Sequence, residues 1–180
     1  MQYIIGKFHG IIKIENMSAS KGLFAKYPNR IFIETGACGG DGIQQALDEG
    51  FEIVYSIEIE TEWFSHCVNR YLKEPRVHMI FGDSRKVLGA LISIIDEPIT
   101  FWLDAHMGSG DPTVLKELEI IGDHSIKTHS ILIDDMRLWK QHKHGFSVES
   151  LHNELLKVNP NYIIKLEDGF VPNDVITARA

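Results

Sequence analysis

Residues 30–42, Arg-Ile-Phe-Ile-Glu-Thr-Gly-Ala-Cys-Gly-Gly-Asp-Gly, constrain the fold more tightly than any other stretch. Ile31, Phe32 and Ile33 form an apolar, β-branched and aromatic run of the kind found in a buried strand. One acid, Glu34, leads into a turn that carries Gly36, Gly39, Gly40 and Gly42. A helical pattern follows at once, with Ile43, Ala46 and Leu47 on one face. Strand, glycine turn and helix make the opening unit of a nucleotide-binding α/β fold. Glycines let backbone approach a ligand closely, and the helix N-terminus faces it.

The spacing narrows the ligand. A dinucleotide fingerprint needs Gly-x-Gly-x-x-Gly, and Cys38 stands where the second glycine would be. A phosphate loop needs Gly-Lys-Ser/Thr, which is absent. What remains is Glu34-x-Gly36-x-x-x-Gly40. This resembles the first motif of the class I S-adenosylmethionine-dependent methyltransferases. That cofactor carries a sulfonium and an ammonium, so a carboxylate-rich site suits it better than a bare helix N-terminus.

Composition sets the outer limits. A chain of 180 residues, 44% hydrophobic and 24% charged, is long enough for one domain with a full core. Net charge is −7 without a basic block, which argues against nucleic acid as the main partner. Cys38 and Cys67 have no metal spacing and offer no disulfide framework. No signal-peptide pattern opens the sequence and no apolar run nears the roughly 20 residues of a membrane span. A cytoplasmic protein is expected.

Before the glycine unit, residues 1–29 read as an N-terminal extension. It holds a β-prone pair of runs around Gly6 and Gly10 and a short helix within 18–27. Packing or a subunit contact is its expected role, with a lid over the ligand as the alternative. Residues 30–180 read as a single domain. Residues 53–59 form the second strand, with Glu58 near its carboxyl end. An acid there can accept hydrogen bonds from both ribose hydroxyls, and Glu60 competes for that role. A helix over 61–72, capped by the Thr61 hydroxyl, leads to the third strand at 77–81 and its exit Gly82-Asp83-Ser84. The resemblance implies that Asp83, with Ser84 beside it, binds the adenine amino group. The alternative is that either residue simply caps the next helix, 85–95.

The fourth strand, 99–103, ends in Asp104-Ala105-His106, and a loop and a helix over 112–123 follow. The fifth strand, 130–135, ends in Asp134-Asp135. An irregular stretch then carries Arg137, Lys140, His142, Lys143 and His144, which reads as a solvated loop, with recognition of an acidic or phosphorylated substrate as the alternative. Ser147 caps a helix to about Val158, and two strands at 162–166 and 175–178 close the chain. The terminal hairpin suits the methyltransferase fold better than the plain dinucleotide fold. The implied architecture is α/β, a Rossmann-like methyltransferase fold. It has a mostly parallel seven-stranded sheet, an antiparallel C-terminal hairpin strand and helices on both faces.

In open α/β sheets the site lies beyond the carboxyl ends of the strands. An acid falls at or near each such end: Glu34, Glu58, Asp83, Asp104, then Asp134 and Asp135. Glu34, Gly36, Gly40, Glu58, Asp83, Ser84 and Asp104 are the expected cofactor-binding residues. Asp104, Asp134 and Asp135 come from adjacent strands and repel each other unless a cation sits between them. Hard oxygen ligands suit Mg²⁺, with Mn²⁺ or Ca²⁺ as competitors. The pattern resembles the metal site of catechol-type and macrocin-type O-methyltransferases, and the Glu-Thr-Gly opening and Leu-Asp-Ala-His also look like the latter group. Simple turn capping by Asp134 or Asp135, and substrate orientation by Asp104, are the plainer alternatives.

His106 is the candidate general base, with Asp104 as its catalytic companion. A hydroxyl is a poor nucleophile until it loses its proton, and a group titrating near neutrality can take it. Catechol-type enzymes use a lysine further along, where this chain has Met107, Gly108 and Ser109. His9, His66, His78, His124, His129 and His152 receive no role. The leading expectation is metal-assisted methyl transfer to the oxygen of a small hydroxylated acceptor, without nucleic-acid or membrane partners and with homo-oligomerisation left open. A metal-independent methyltransferase and a nicotinamide-dependent oxidoreductase are the alternatives.

Overall fold

The computed structural model describes residues 19–105, 113–139 and 147–180. The expected hairpin around Gly6 and Gly10, His106, the loop through 112 and the basic residues Lys140, His142, Lys143 and His144 lie outside the described residues.

Seven strands form one sheet: β1 (Ile31–Thr35), β2 (Ile53–Glu58), β3 (Val77–Phe81), β4 (Ile99–Leu103), β5 (Ser130–Ile133), β6 (Ile163–Glu167) and β7 (Val175–Arg179). Their spatial order is β3-β2-β1-β4-β5-β7-β6. All pairings among β1 to β5 are parallel, and β7 runs antiparallel to both β5 and β6. Among the described residues six α-helices connect them: α1 (Asp41–Asp48), α2 (Thr61–Arg70), α3 (Ser84–Ile92), α4 (Thr113–Asp123), the single turn α5 (Met136–Trp139) and α6 (Val148–Val158). This is the Rossmann-like methyltransferase sheet with its reversed C-terminal strand.

The two-residue period of the strands builds two separate cores. Ile31, Ile33, Phe101, Leu103, Ile131 and Ile133 point to one face, where α3, α4 and α6 supply Leu88, Leu118, Ile121, Leu151 and Leu155. Phe32, Trp102 and Leu132 point to the other face, against Ile43, Ala46 and Leu47 of α1 and Cys67 of α2. Residues 19–27 belong to this second core. Leu23 and Phe24 are fully buried, and the Phe24 ring lies 4.8 Å from Phe32 and 5.0 Å from Trp102. The expected short helix there is a single 3-10 turn, Phe24–Lys26. Tyr27 pins it to the hairpin, its hydroxyl 2.7 Å from Thr177 Oγ1 and 3.1 Å from Glu167 Oε1.

Helix starts differ in how they are secured. Ser147 caps α6, as the sequence predicts, and Ser150 completes a reciprocal capping box with it. Thr61 does not cap α2: Glu60 holds the N-cap position without a side-chain bond. The Glu60 N–H instead donates to Glu58 Oε1 at 2.8 Å, which fixes the chain's entry into the helix from the strand side.

Candidate functional site

The strand order reverses between β1 and β4, and open α/β sheets bind ligands at such a switch point. The glycine turn lies there. Gly36 has φ +87°, and a Cβ on it would stand 2.8 Å from the Asp104 carbonyl oxygen at the exit of β4. Cys38 (φ 44°) and Gly40 (φ 85°) also take the left-handed conformation. Helix α2 clamps the turn from the side. The Tyr71 hydroxyl donates to Gly40 O at 2.6 Å, and Arg70 Nη1 donates to Gly39 O at 2.5 Å.

Glu58 ends β2 with 5% exposure. Its two oxygens accept separate backbone N–H groups, Oε2 from Cys38 at 3.0 Å and Oε1 from Glu60 at 2.8 Å. Its competitor Glu60 is exposed and capping, so Glu58 is the acid that touches the turn. Asp83 ends the β3 exit as the N-cap of α3, accepting from Arg85 N at 3.0 Å, Nε at 2.9 Å and Nη2 at 2.8 Å. Those Arg85 bonds hold its carboxyl below the ordinary range. Ser84 is buried as the first residue of α3.

Glu34 sits beneath the turn. It is 2% exposed and accepts from Ser56 Oγ at 2.5 Å. A Cβ at Gly42 would fall 1.9 Å from its Oε1, so only glycine leaves room for that carboxyl. Burial, with Asp104 and Glu58 adding repulsion, pushes the Glu34 carboxyl up to about 8 despite the Ser56 bond.

The acids after β4 and β5 form a second centre. Asp104 N donates to Thr35 O at 3.1 Å, and Asp134 N donates to Leu103 O at 3.3 Å, which ties each exit to the neighbouring strand. Asp134 is 3% exposed, and its Oδ1 has no hydrogen-bond partner among the described residues. Burial first, then the charges of Asp104 and Asp135, push it up to about 8. The metal-capable oxygens of Asp134, Asp135 and Asp174 lie within 4.8 Å of one another. Asp104 stands outside that group yet near enough to raise Asp134.

Asp174 and Arg137 were not expected in this centre. Asp174, 1% exposed, directly precedes β7 and arrives because β7 lies next to β5. Arg137 belongs to α5 and not to a solvated loop: it ion-pairs Asp135 and Asp174, and its backbone N–H donates to Asp174 Oδ1 at 2.8 Å. A lone acid before a terminal strand carries no local pattern that would have marked it. Three buried carboxylates with an unpartnered oxygen are a donor set that fits a hard divalent cation, with Arg137 already engaging two of them.

No family model matches this chain, and no curated protein matches it in sequence. Solved structures do share its fold. The SAH-bound methyltransferase PaMTH1 of Podospora anserina superposes with a TM-score of 0.57 at 13% identity, covering 83% of this chain and 71% of that one. The O-methyltransferase TomG of Streptomyces achromogenes, involved in tomaymycin synthesis and solved with SAM, gives 0.60 at 13% identity over 87% and 74%. A chain of the fibrillarin/Nop5p complex gives 0.54 at 17% identity over 84% and 71%. At such identities the likeness is one of fold, and the fold they share is the methyltransferase fold.

Proposed function

We propose that this chain is an S-adenosylmethionine-dependent methyltransferase that transfers the methyl group to the oxygen of a small hydroxylated acceptor with the help of a divalent metal. The observation that carries the reading is the state of Glu58. A carboxylate has roughly four lone-pair sites. Two of them, one on each oxygen, hold the N–H groups of Cys38 and Glu60. One site per oxygen remains, which matches the paired hydroxyls of a ribose.

In this reading Gly36 and Gly40 keep the turn close to the cofactor, and Glu34 supports the turn from below. Glu58 takes the ribose. Asp83 accepts the adenine amino group with the lone pair that Arg85 leaves over, and Ser84 borders it. Asp104 faces both the cofactor and the acceptor. S-adenosylmethionine would supply a methyl group made electrophilic by its sulfonium, and Asp104, Asp134 and Asp135 would hold a divalent cation whose positive charge would lower an acceptor hydroxyl's pKa. His106 takes the hydroxyl proton, which makes the acceptor oxygen a stronger nucleophile for in-line attack on the methyl, whose bond to sulfur breaks to leave S-adenosylhomocysteine. The acidic rim favours cationic guests throughout.

Calorimetry with S-adenosylhomocysteine and with NAD separates the main classes. S-adenosylhomocysteine is expected to bind and NAD to fail. Glu58→Gln, which swaps an ionised acceptor for a neutral one, is expected to weaken binding by about tenfold or more. Binding of NAD alone would overturn the assignment. One observation favours a metal-independent variant of the same activity, namely the Arg137 pairs to Asp135 and Asp174. Methyl transfer to a catechol panel that is equal with and without chelator would select it.

A further inference from the structure

Arg137 and the three acids around it do not balance. The guanidinium reaches Asp135 with Nη2 and Asp174 with Nη1, and the Phe170 ring lies over it at 5.7 Å. No hydrogen bond of this arrangement reaches Asp134 Oδ1, which is buried and has no hydrogen-bond partner among the described residues. A buried acceptor left in that condition is costly unless a cation or proton reaches it. The space beside it is kept small-sided. A Cβ at Gly169 would stand 3.3 Å from Asp134 Oδ1 and 2.9 Å from Val175 Cγ2.

The same oxygens therefore face two kinds of cation. Asp174 offers an oxygen within 4.8 Å of those of Asp134 and Asp135, and both Asp135 and Asp174 are held by Arg137. A divalent ion drawn to Asp134 meets the guanidinium at its other two ligands. We propose that Asp174 is a carboxylate of the metal centre and that Arg137 is its built-in cation, so that a divalent metal and the Arg137 guanidinium compete for the oxygens of Asp135 and Asp174. Arg137 then acts as a positioning residue that sets the metal affinity. This rests on the metal-assisted reading above and extends its ligand set to a residue contributed by the reversed hairpin.

The test is Mn²⁺ binding to the full chain, followed by calorimetry and by the paramagnetic signal of free Mn²⁺, without cofactor or acceptor. Arg137→Gln removes a unit charge from the ligands' surroundings, and it is expected to bind Mn²⁺ about tenfold or more tighter than the wild type. Arg137→Lys keeps the charge but not the two-armed fork, and it is expected to fall between the two. Adding Asp174→Asn to Arg137→Gln is expected to abolish most of the gain. Melting temperatures without and with Mn²⁺ give a second readout, since a ligand that binds only the folded chain raises them. If Arg137→Gln does not fold, the Lys variant carries the test, and an affinity no higher than wild type overturns the inference. Wild-type binding with an unchanged or weakened Arg137→Gln sinks the inference and leaves the metal reading standing. Absence of Mn²⁺ binding in wild type and both Arg137 variants sinks the two together.

Discussion

Glu34 is a carboxyl group sealed under the glycine turn, and its titration is coupled to folding. Its ordinary value is 4.5, and burial raises it to about 8 in the folded chain. Between those values the folded chain holds a proton that the unfolded chain has lost. Stability from this group is therefore present at low pH, falls as pH rises from about 4.5 to about 8, and levels off above that. The slope cannot exceed about 1.4 kcal/mol per pH unit. Glu34→Gln keeps the shape and removes the titration. Urea unfolding from pH 5 to pH 8 is expected to show the variant gaining stability relative to wild type as pH rises. Parallel curves would mean that Glu34 stays ionised in the fold. The sequence marked Glu34 as an acid before a glycine turn, but its depth depends on Ser56 and Gly42, which reach it from β2 and α1.

Two local devices can be separated by their effects on binding. Gly36 carries a left-handed backbone and has Asp104 O at its back, so Gly36→Ala combines strain with a clash. A loss of about 1–3 kcal/mol or more in stability is expected. S-adenosylhomocysteine affinity should fall with it, because the turn must move. Ser147→Ala removes the capping box of α6 and is expected to cost about 1 kcal/mol. Its helix still buries Leu151 and Leu155, and cofactor affinity should stay at the wild-type level. Thermal melts paired with calorimetry check both; loss of binding in Ser147→Ala would tie α6 to the site. The Ser147 cap was legible because cap and helix are neighbours in sequence. The missing cap at Thr61 was not, because the helix starts one residue earlier: Glu60 takes the N-cap position, its N–H held by the strand residue Glu58, and Thr61 is already helical.

At the opposite end of the sheet, His124 and His129 join three parts of the molecule. The Ile99 N–H donates to His129 Nδ1 at 3.1 Å, which leaves the proton of neutral His129 on Nε2. That nitrogen lies 3.0 Å from His124 Nδ1, and His124 Nε2 lies 3.1 Å from the Ile95 carbonyl, so the donors can all point one way along the chain of hydrogen bonds. Burial, with the nearby His124 and Lys127 charges, lowers His129 from 6.5 to about 4. Here the unfolded chain binds the extra proton, and stability is lost as pH falls from about 6.5 towards about 4. His129→Gln is expected to lose about 1–3 kcal/mol at pH 7 through the unmatched partners and to flatten that acid limb. An unchanged acid limb would remove His129 as its source.

From the residues alone, the alternation of Ile31, Phe32 and Ile33, of Phe101, Trp102 and Leu103, and of Ile131, Leu132 and Ile133 determined a sheet covered on both faces. The glycine turn and the strand-end acids marked the carboxyl edge of the sheet as the candidate ligand edge. These signals are local: a period of two, a turn, a residue at a strand end. The tertiary structure alone decided that Asp174 joins Asp134 and Asp135, that Arg137 pairs with two of them, and that His124 hydrogen-bonds His129. Each of these depends on non-local neighbours, on β7 lying beside β5 or on a loop closing against a helix end. Charge and hydrogen bonding act through space over a few ångströms, and sequence separation does not reveal which side chains come that close.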